Sequence, residues 1–121
     1  MITCIRAFFN ERDVLEVDTP LLCSAGVTEP SIDPFMVPYG AAQNGPRFLQ
    51  TSPEYAMKRL LAAGSGPIYQ IAKAFRDGEV GPRHNPEFTL LEWYRPAYDH
   101  HQLMNELADL VCCCLSRDQW Q

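Results

Sequence analysis

The order of apolar and polar positions is most informative between Ile68 and Pro96. Two apolar runs there flank a polar loop, Asp77 to Pro86, that contains two glycines and two prolines. Such an arrangement is typical of a long antiparallel hairpin. Because side chains alternate along a strand, the second run places an aromatic ring, a carboxylate and a phenol on one face. These residues are Phe88, Glu92 and Tyr94, and they make the hairpin a candidate binding surface.

Apolar residues at helical spacing predict a helix near each end of the chain. Ile2, Ile5, Phe8 and Phe9 indicate an amphipathic helix within residues 1–13. After Asp99, which is expected to cap it, a final helix carries one apolar stripe that we assign to the core. The stripe consists of Leu103, Met104, Leu107, Leu110, Val111, Cys114 and Leu115, and His100 and His101 before it are expected to be solvated.

The first half of the chain predicts short strands and one further helix. Ser52 has the character of a helix N-cap, Pro53 suits the first helical position, and Glu54 suits the first turn. This helix should end at Gly64. Capping alone would explain Ser52 and Glu54 without a function. The expected strands are residues 14–18, 31–39 (edged by prolines) and 47–50, with a loop at 21–30 and a turn at 40–46.

Composition limits the classes of protein to consider. The chain has 121 residues, 46% of them hydrophobic, which suffices for one domain with a core. The net charge of −5 argues against a surface for sequence-independent nucleic-acid binding, although a local pocket for one nucleotide is compatible with it. Without a signal-peptide pattern or an apolar run near the roughly 20 residues of a membrane span, the sequence predicts a cytoplasmic protein.

The five cysteines invite a metal or disulfide interpretation. Cys112, Cys113 and Cys114 are consecutive on a predicted helix, so their side chains diverge and cannot share one tetrahedral ion. Cys4 and Cys23 have no partner at Cys-x-x-Cys spacing. We therefore expect structural thiols and no metal within the chain.

The hairpin resembles a known family. Phe75-Arg76, followed after a loop by the run from His84 to Thr89, resembles motif 2 of class II aminoacyl-tRNA synthetases in its lysyl-type form. The runs Thr51 to Tyr55, Met57 to Leu61 and Leu91 to Pro96 resemble the lysyl-tRNA synthetase paralogues that attach β-lysine to elongation factor P. The resemblance covers nearly the whole chain. It implies an α+β fold in which an antiparallel sheet is flanked by helices.

The resemblance implies an enzyme that uses ATP to activate a lysine-type amino acid as an acyl-adenylate and transfers it to a lysine of elongation factor P. Arg76 would be catalytic and would bridge the substrate carboxylate and the α-phosphate. Phe88 would stack on adenine, and the remaining ATP contacts would come from the loop. Those loop residues are Asp77, Gly78, Glu79, His84 and Asn85.

The resemblance also implies how the amino acid is recognised. Glu54, Glu92 and Tyr94 would bind the two amino groups of β-lysine or lysine, with Ser52 and Pro53 beside them. Two carboxylates facing a dication match its charge, whereas a neutral amino acid would leave one of them unpaired.

Two features depart from the family pattern. The family places Glu two residues after the motif 2 Arg, whereas here Glu79 follows Arg76 by three, and we expect Glu79 to substitute through the flexible Gly78. Motif 3, with an Arg for the γ-phosphate and carboxylates for Mg²⁺, does not occur before Gln121. We therefore expect residues 1–121 to be a partial catalytic domain, weakly active or inactive alone.

Residues 1–20 resemble motif 1, the helix and strand that form the class II dimer interface, so a homodimer is expected through them. The alternative is that this helix and strand are an ordinary packing pair without a role in dimerisation.

The sequence is compatible with three functions. The first is the β-lysine ligase of elongation factor P, which would not act on tRNA. The second is a lysyl-tRNA synthetase fragment, and the third is a non-catalytic dimerisation module.

Overall fold

The computed structural model describes residues 1–38 and 45–116. In this part of the chain nine elements follow in order. They are α1 (Ile2–Asn10), β1 (Leu15–Glu16), β2 (Leu22–Cys23), β3 (Met36–Val37), β4 (Arg47–Leu49), α2 (Glu54–Ala62), β5 (Ile68–Phe75), β6 (Glu87–Tyr94) and α3 (His100–Ser116). None of the described helices is long and apolar enough to cross a bilayer.

The strands form two three-stranded sheets, in the orders β1-β5-β6 and β2-β4-β3. In the second sheet both pairings are antiparallel. In the first sheet β1 pairs with β5 in parallel, with Leu15 opposite Ile68. The prediction of an antiparallel sheet was therefore wrong for this pair, because parallel pairing joins segments far apart in sequence and leaves no hairpin signal.

The chain divides into two compact units. The first comprises Met1–Val17, Leu60–Tyr69 and Trp93–Gln121. Aromatic packing lies at its centre: the fully buried ring of Phe9 stacks on Tyr69 with centroids 4.5 Å apart and lies 5.8 Å from Trp93. The i, i+3, i+4 spacing on α1 thus predicted the burial of Phe9, but Ile2 is 50% exposed and Cys4, which the spacing did not include, is buried.

The second unit comprises Asp18–Arg59 and Gln70–Glu92. It contains the second sheet, most of the hairpin and the start of α2. Buried polar side chains form hydrogen bonds inside this unit: Thr19 Oγ1 donates to Gln70 Oε1 at 2.9 Å, and Gln50 Nε2 donates to the carbonyl of Lys73 at 3.1 Å. The candidate site residues lie in this unit, apart from Tyr94.

The hairpin and α2 match the prediction closely. The Arg76 N–H donates to the carbonyl of Pro86 at 2.9 Å, which closes the loop between β5 and β6. Gly64 adopts a φ of +88° just beyond α2, the left-handed conformation in which glycine ends helices. At α3, Asp99 and Gln102 cap each other's backbone N–H groups at 2.8 and 2.9 Å.

The short strands were predicted less accurately. The strand expected at 31–39 is only Met36–Val37, bounded by Pro34 and Pro38, and position 39 lies outside the described residues. The loop expected at 21–30 contains β2, whose two residues pair with β4. The turn predicted at 40–46 is described only at its last two positions.

The largest disagreement concerns the apolar stripe of α3. We expected it to be core, yet only Leu110 is buried, at 5% exposure. Helical spacing identifies an apolar face but not what covers it, so the burial expected of these residues was wrong. The exposed members are Leu103, Met104, Leu107, Val111 and Leu115.

Candidate functional site

Arg76 lies where three segments of the second unit meet. It follows β5 directly, and its Nε donates to the carbonyl of Thr51 at 3.3 Å. Its guanidinium carbon lies 5.1 Å from the centre of the Phe88 ring on β6. A partly buried cation and an aromatic ring are thus adjacent, as the hairpin predicted. This arrangement can hold an anion beside a planar ring.

Glu79 also reaches Arg76. Its carboxylate Oε1 lies 3.6 Å from the Arg76 Nη1 atom, and Gly78 between them has a φ of +76°. The left-handed glycine turns the chain so that a carboxylate three positions after the arginine can approach it. The preceding residue, Asp77, fixes the turn, since its N–H donates to the carbonyl of Asp33 at 2.7 Å.

The remainder of the loop is held by its own backbone. Gly81 and His84 exchange N–H to carbonyl hydrogen bonds of 3.1 and 3.2 Å. The side chains of His84 and Asn85 are exposed. Their predicted ATP contacts would therefore involve solvent-facing groups.

The start of α2 differs from the prediction by one residue, because the helix begins at Glu54 and Pro53 precedes it. The Glu54 N–H donates to Ser52 Oγ at 3.4 Å, and the Met57 N–H donates to the carbonyl of the buried Pro53 at 2.9 Å. Capping therefore accounts for the Ser52 hydroxyl and the position of Pro53. It does not determine the direction of the Glu54 side chain.

Lys58 is the residue near this site that the sequence reasoning missed. Its Nζ lies 2.6 Å from Glu54 Oε1, one helical turn away. The hydrogen bond and charge of Glu54 raise the pKa of Lys58, and the charge of Glu92 on β6 raises it further. Glu54 therefore pairs with Lys58 directly, whereas Glu92 contributes only through its charge. The Glu-x-x-x-Lys spacing is the signal that would have found the pair.

A cavity of about 60 Å³ lies beside Glu54. Cys23, Val27, Leu49, Ser52 and Glu54 are among its lining residues. At its edge the hydroxyl groups of Thr28 and Tyr55 are hydrogen-bonded at 2.8 Å. The lining of the cavity is mainly apolar and includes one carboxylate, that of Glu54.

Tyr94 ends β6 and belongs to the first unit, where it is half-buried. Beyond it, Arg95 and Glu106 form an ion pair at 3.2 Å with side chains only 10% and 6% exposed. Trp93 Nε1 donates to the other oxygen of Glu106 at 3.1 Å. The sequence reasoning assigned Glu106 no role, because a carboxylate beside an apolar stripe resembles any solvated helix position.

Across residues 1–38 and 45–116, no three or more His, Cys, Asp or Glu side chains come together in a way that could hold a metal ion. Ligands for the Mg²⁺ that the resemblance implies are therefore not assembled in the described residues.

Comparison with known proteins identifies the class. The family described as tRNA synthetases class II (D, K and N) matches residues 1–119, and the chain belongs to this family. Individual relatives include proteins named elongation factor P–(R)-β-lysine ligase. Those of Edwardsiella ictaluri and Pectobacterium carotovorum are 56% and 55% identical over 114 residues, and that of Haemophilus influenzae is 56% identical over 115. Each match covers 92% of this chain and 35% of the relative, so the chain spans about a third of their length.

Proposed function

We propose that this chain contributes the amino-acid pocket and part of the ATP site of a ligase that attaches β-lysine to a lysine of elongation factor P. The observation that carries the proposal is the Glu54 carboxylate, which already holds one ammonium group, that of Lys58, at 2.6 Å, while the charge of Glu92 also helps to raise the pKa of that lysine. A site that concentrates two negative charges suits an amino acid with two amino groups. The names of the relatives, at 55–56% identity, support the same substrate and acceptor.

The proposed chemistry has two steps. A carboxylate oxygen of β-lysine attacks the α-phosphorus of ATP, and pyrophosphate leaves. The amine of the acceptor lysine then attacks the carbonyl carbon of the adenylate, and AMP leaves as the amide forms. Both steps depend more on alignment and charge compensation than on proton transfer.

Arg76 and Phe88 would carry the first step. The Arg76 guanidinium offers donors for the substrate carboxylate and the α-phosphate together, and its contact with Thr51 holds it in place. Phe88, 5.1 Å away, would stack on adenine, an interaction worth about 1–3 kcal/mol. Glu79 would keep Arg76 oriented before ATP binds, because its carboxylate lies 3.6 Å from Nη1. Asp77, Gly78, His84 and Asn85 complete the proposed ATP site.

Glu54 and Glu92 would bind the amino groups of β-lysine, beside the cavity lined by Ser52. The ion pair between Lys58 and Glu54 would have to break when the substrate binds, because one carboxylate oxygen cannot pair equally well with two cations. The role of Tyr94 stays a prediction from the resemblance.

A homodimer through residues 1–20 is also part of the proposal, and the exposed apolar side chains of Ile2 and Leu15 support it.

Amino-acid-dependent exchange of pyrophosphate into ATP tests the proposal. It should be measured with β-lysine, α-lysine and norleucine, first on the 121-residue chain. It should then be measured on a chimera in which this chain replaces the matching third of the Edwardsiella relative. Exchange by the chimera that prefers β-lysine, together with β-lysylation of elongation factor P detected by mass, is the expected result.

A preference of the chimera for α-lysine would shift the assignment to a lysyl-tRNA synthetase. A folded chimera without exchange, beside an active parent ligase, would contradict the proposal. The isolated chain then shows how much of the activity residues 1–121 supply by themselves.

A further inference from the structure

Two cysteines of the first unit lie in contact although 109 residues separate them. Cys4 on α1 and Cys113 on α3 are both reduced, and their Sγ atoms are 3.0 Å apart. A covalent S–S bond is about 2.05 Å long, so roughly 1 Å of closure would join them. Cys4 is 2% exposed, whereas Cys113 is half-buried.

Helix geometry determines which of three consecutive cysteines contacts Cys4, and that residue is Cys113. Successive residues of a helix point about 100° apart, so only one of Cys112, Cys113 and Cys114 can face α1. Cys112 is exposed, and Cys114 is half-buried on another side of α3. The contact is therefore fixed by the packing of two helices.

We propose that Cys4 and Cys113 form a dithiol site that reacts with small disulfides and is converted to an intramolecular disulfide linking α1 to α3. The thiolate of Cys113, the more accessible sulfur, attacks a small disulfide RS–SR and releases one RS⁻ as a mixed disulfide forms. Cys4 loses its proton and attacks the Cys113 sulfur, which releases the second RS⁻. Two protein thiols are oxidised, one external disulfide is reduced, and the two protons end on two RSH molecules.

The other thiols serve as internal comparisons. Cys23 lies in the second unit, on β2. In an unfolded chain, loop closure would favour Cys4–Cys23, 19 residues apart, over Cys4–Cys113 by roughly tenfold. A native preference for Cys4–Cys113 must therefore come from the fold.

The experiment is oxidation of the 121-residue chain with oxidised glutathione over a range of ratios to reduced glutathione. Remaining thiols are then alkylated, and intact mass and peptide mapping identify the products. We expect loss of two hydrogens from the monomer and a Cys4–Cys113 crosslink that forms at least ten times faster than any other. The same reaction in concentrated urea should lose this preference.

Matched variants separate the pair from its neighbours. Cys113→Ser should abolish the fast crosslink, whereas Cys112→Ser should leave it unchanged. Cys113 is half-buried, so its replacement tests the proposal even if a variant of the buried Cys4 does not fold. A native crosslink from Cys4 to Cys112 or Cys114, a mixture resembling the urea products, or a Cys4 thiol still alkylated after oxidation would overturn the proposal.

Discussion

The ammonium group of Lys58 lies 2.6 Å from the Glu54 carboxylate that we expect to bind an amino group of the substrate. Both side chains are largely solvent-accessible, so this pair is held loosely and can be exchanged for another cation. On the proposed function, Lys58 therefore competes with the substrate ammonium group for the Glu54 carboxylate. We therefore expect the affinity for the amino acid to depend on the side chain at position 58.

Replacing Lys58 tests that competition. In the chimera, Lys58→Gln should lower the dissociation constant for β-lysine by about threefold, because Glu54 no longer has an internal partner. Calorimetric titration measures the change. Arg59→Gln removes the same charge at the next, exposed position and should leave affinity unchanged. Weaker binding by Lys58→Gln would mean that the lysine orients Glu54 and does not compete with the substrate.

Arg76→Ala should reduce pyrophosphate exchange in the chimera by about 100-fold or more, as expected for loss of a group that stabilises developing charge. The fold should persist, because Arg76 is partly exposed at a loop edge. Circular dichroism checks the fold, and Arg83→Ala, an exposed arginine in the same loop, is the matched control. Unchanged exchange in Arg76→Ala would refute the assigned role.

Glu92→Gln should reduce discrimination in favour of diamino acids by about tenfold, because it removes one of two charges facing the substrate. The measurement is the ratio of exchange rates with β-lysine and with norleucine. Glu87→Gln serves as control, since Glu87 lies on the same strand but pairs with Lys73 at 3.4 Å. An unaltered ratio in Glu92→Gln would leave this carboxylate with a structural role only.

Tyr69 should make the fold sensitive to alkali. Burial, followed by its hydrogen bond to Glu16, raises the pKa of Tyr69 from 10.0 to about 12. The folded state holds this proton more tightly, so the associated stability is complete below pH 10 and is lost as pH rises to 12. The free energy of unfolding should fall by about 2–3 kcal/mol across this window.

Urea denaturation curves measured at intervals of about half a pH unit between roughly pH 9 and 12 give the free energy of unfolding as a function of pH. Tyr69→Phe should flatten it, whereas Tyr98→Phe, at an exposed position, should retain it. An equally steep decline in Tyr69→Phe would assign the alkaline sensitivity to other groups.

Glu106→Gln should destabilise the chain by about 3 kcal/mol, because it leaves the buried guanidinium of Arg95 without its counter-charge. The double variant Arg95→Met, Glu106→Gln removes both charges and keeps an amide oxygen for the Trp93 indole N–H. It should recover part of the loss. Asp109→Asn, an exposed change on the same helix, should cost about 0.5 kcal/mol or less. A double variant less stable than Glu106→Gln would contradict this explanation.

The hairpin could be predicted because its signals are local. The loop residues and the Ser52-Pro53-Glu54 helix start act within a few positions, and the structure has a loop between β5 and β6 and a helix that begins at Glu54. The approach of Arg76 to Phe88 followed from the same hairpin, since both residues flank one loop.

Features that depend on distant partners could not be predicted. Short strands such as β2 exist only because a neighbouring strand supplies hydrogen bonds, and two residues carry little signal of their own. The exposure of Leu107 and Val111 depends on what packs against α3, which its periodicity does not specify. Lys58 was missed for a different reason: its local signal was present, but an i, i+4 pair is so common on helices that it suggested no role.

The parallel pairing of β1 with β5 has a consequence for the order of events during synthesis. Phe9 and Leu15 leave the ribosome early, but their partners Tyr69 and Ile68 follow more than 50 residues later. At the usual pace of translation that interval is roughly 3–10 s. Helix α1 is thus synthesised before the strand that packs against it, and its aromatic face lacks this partner during the interval.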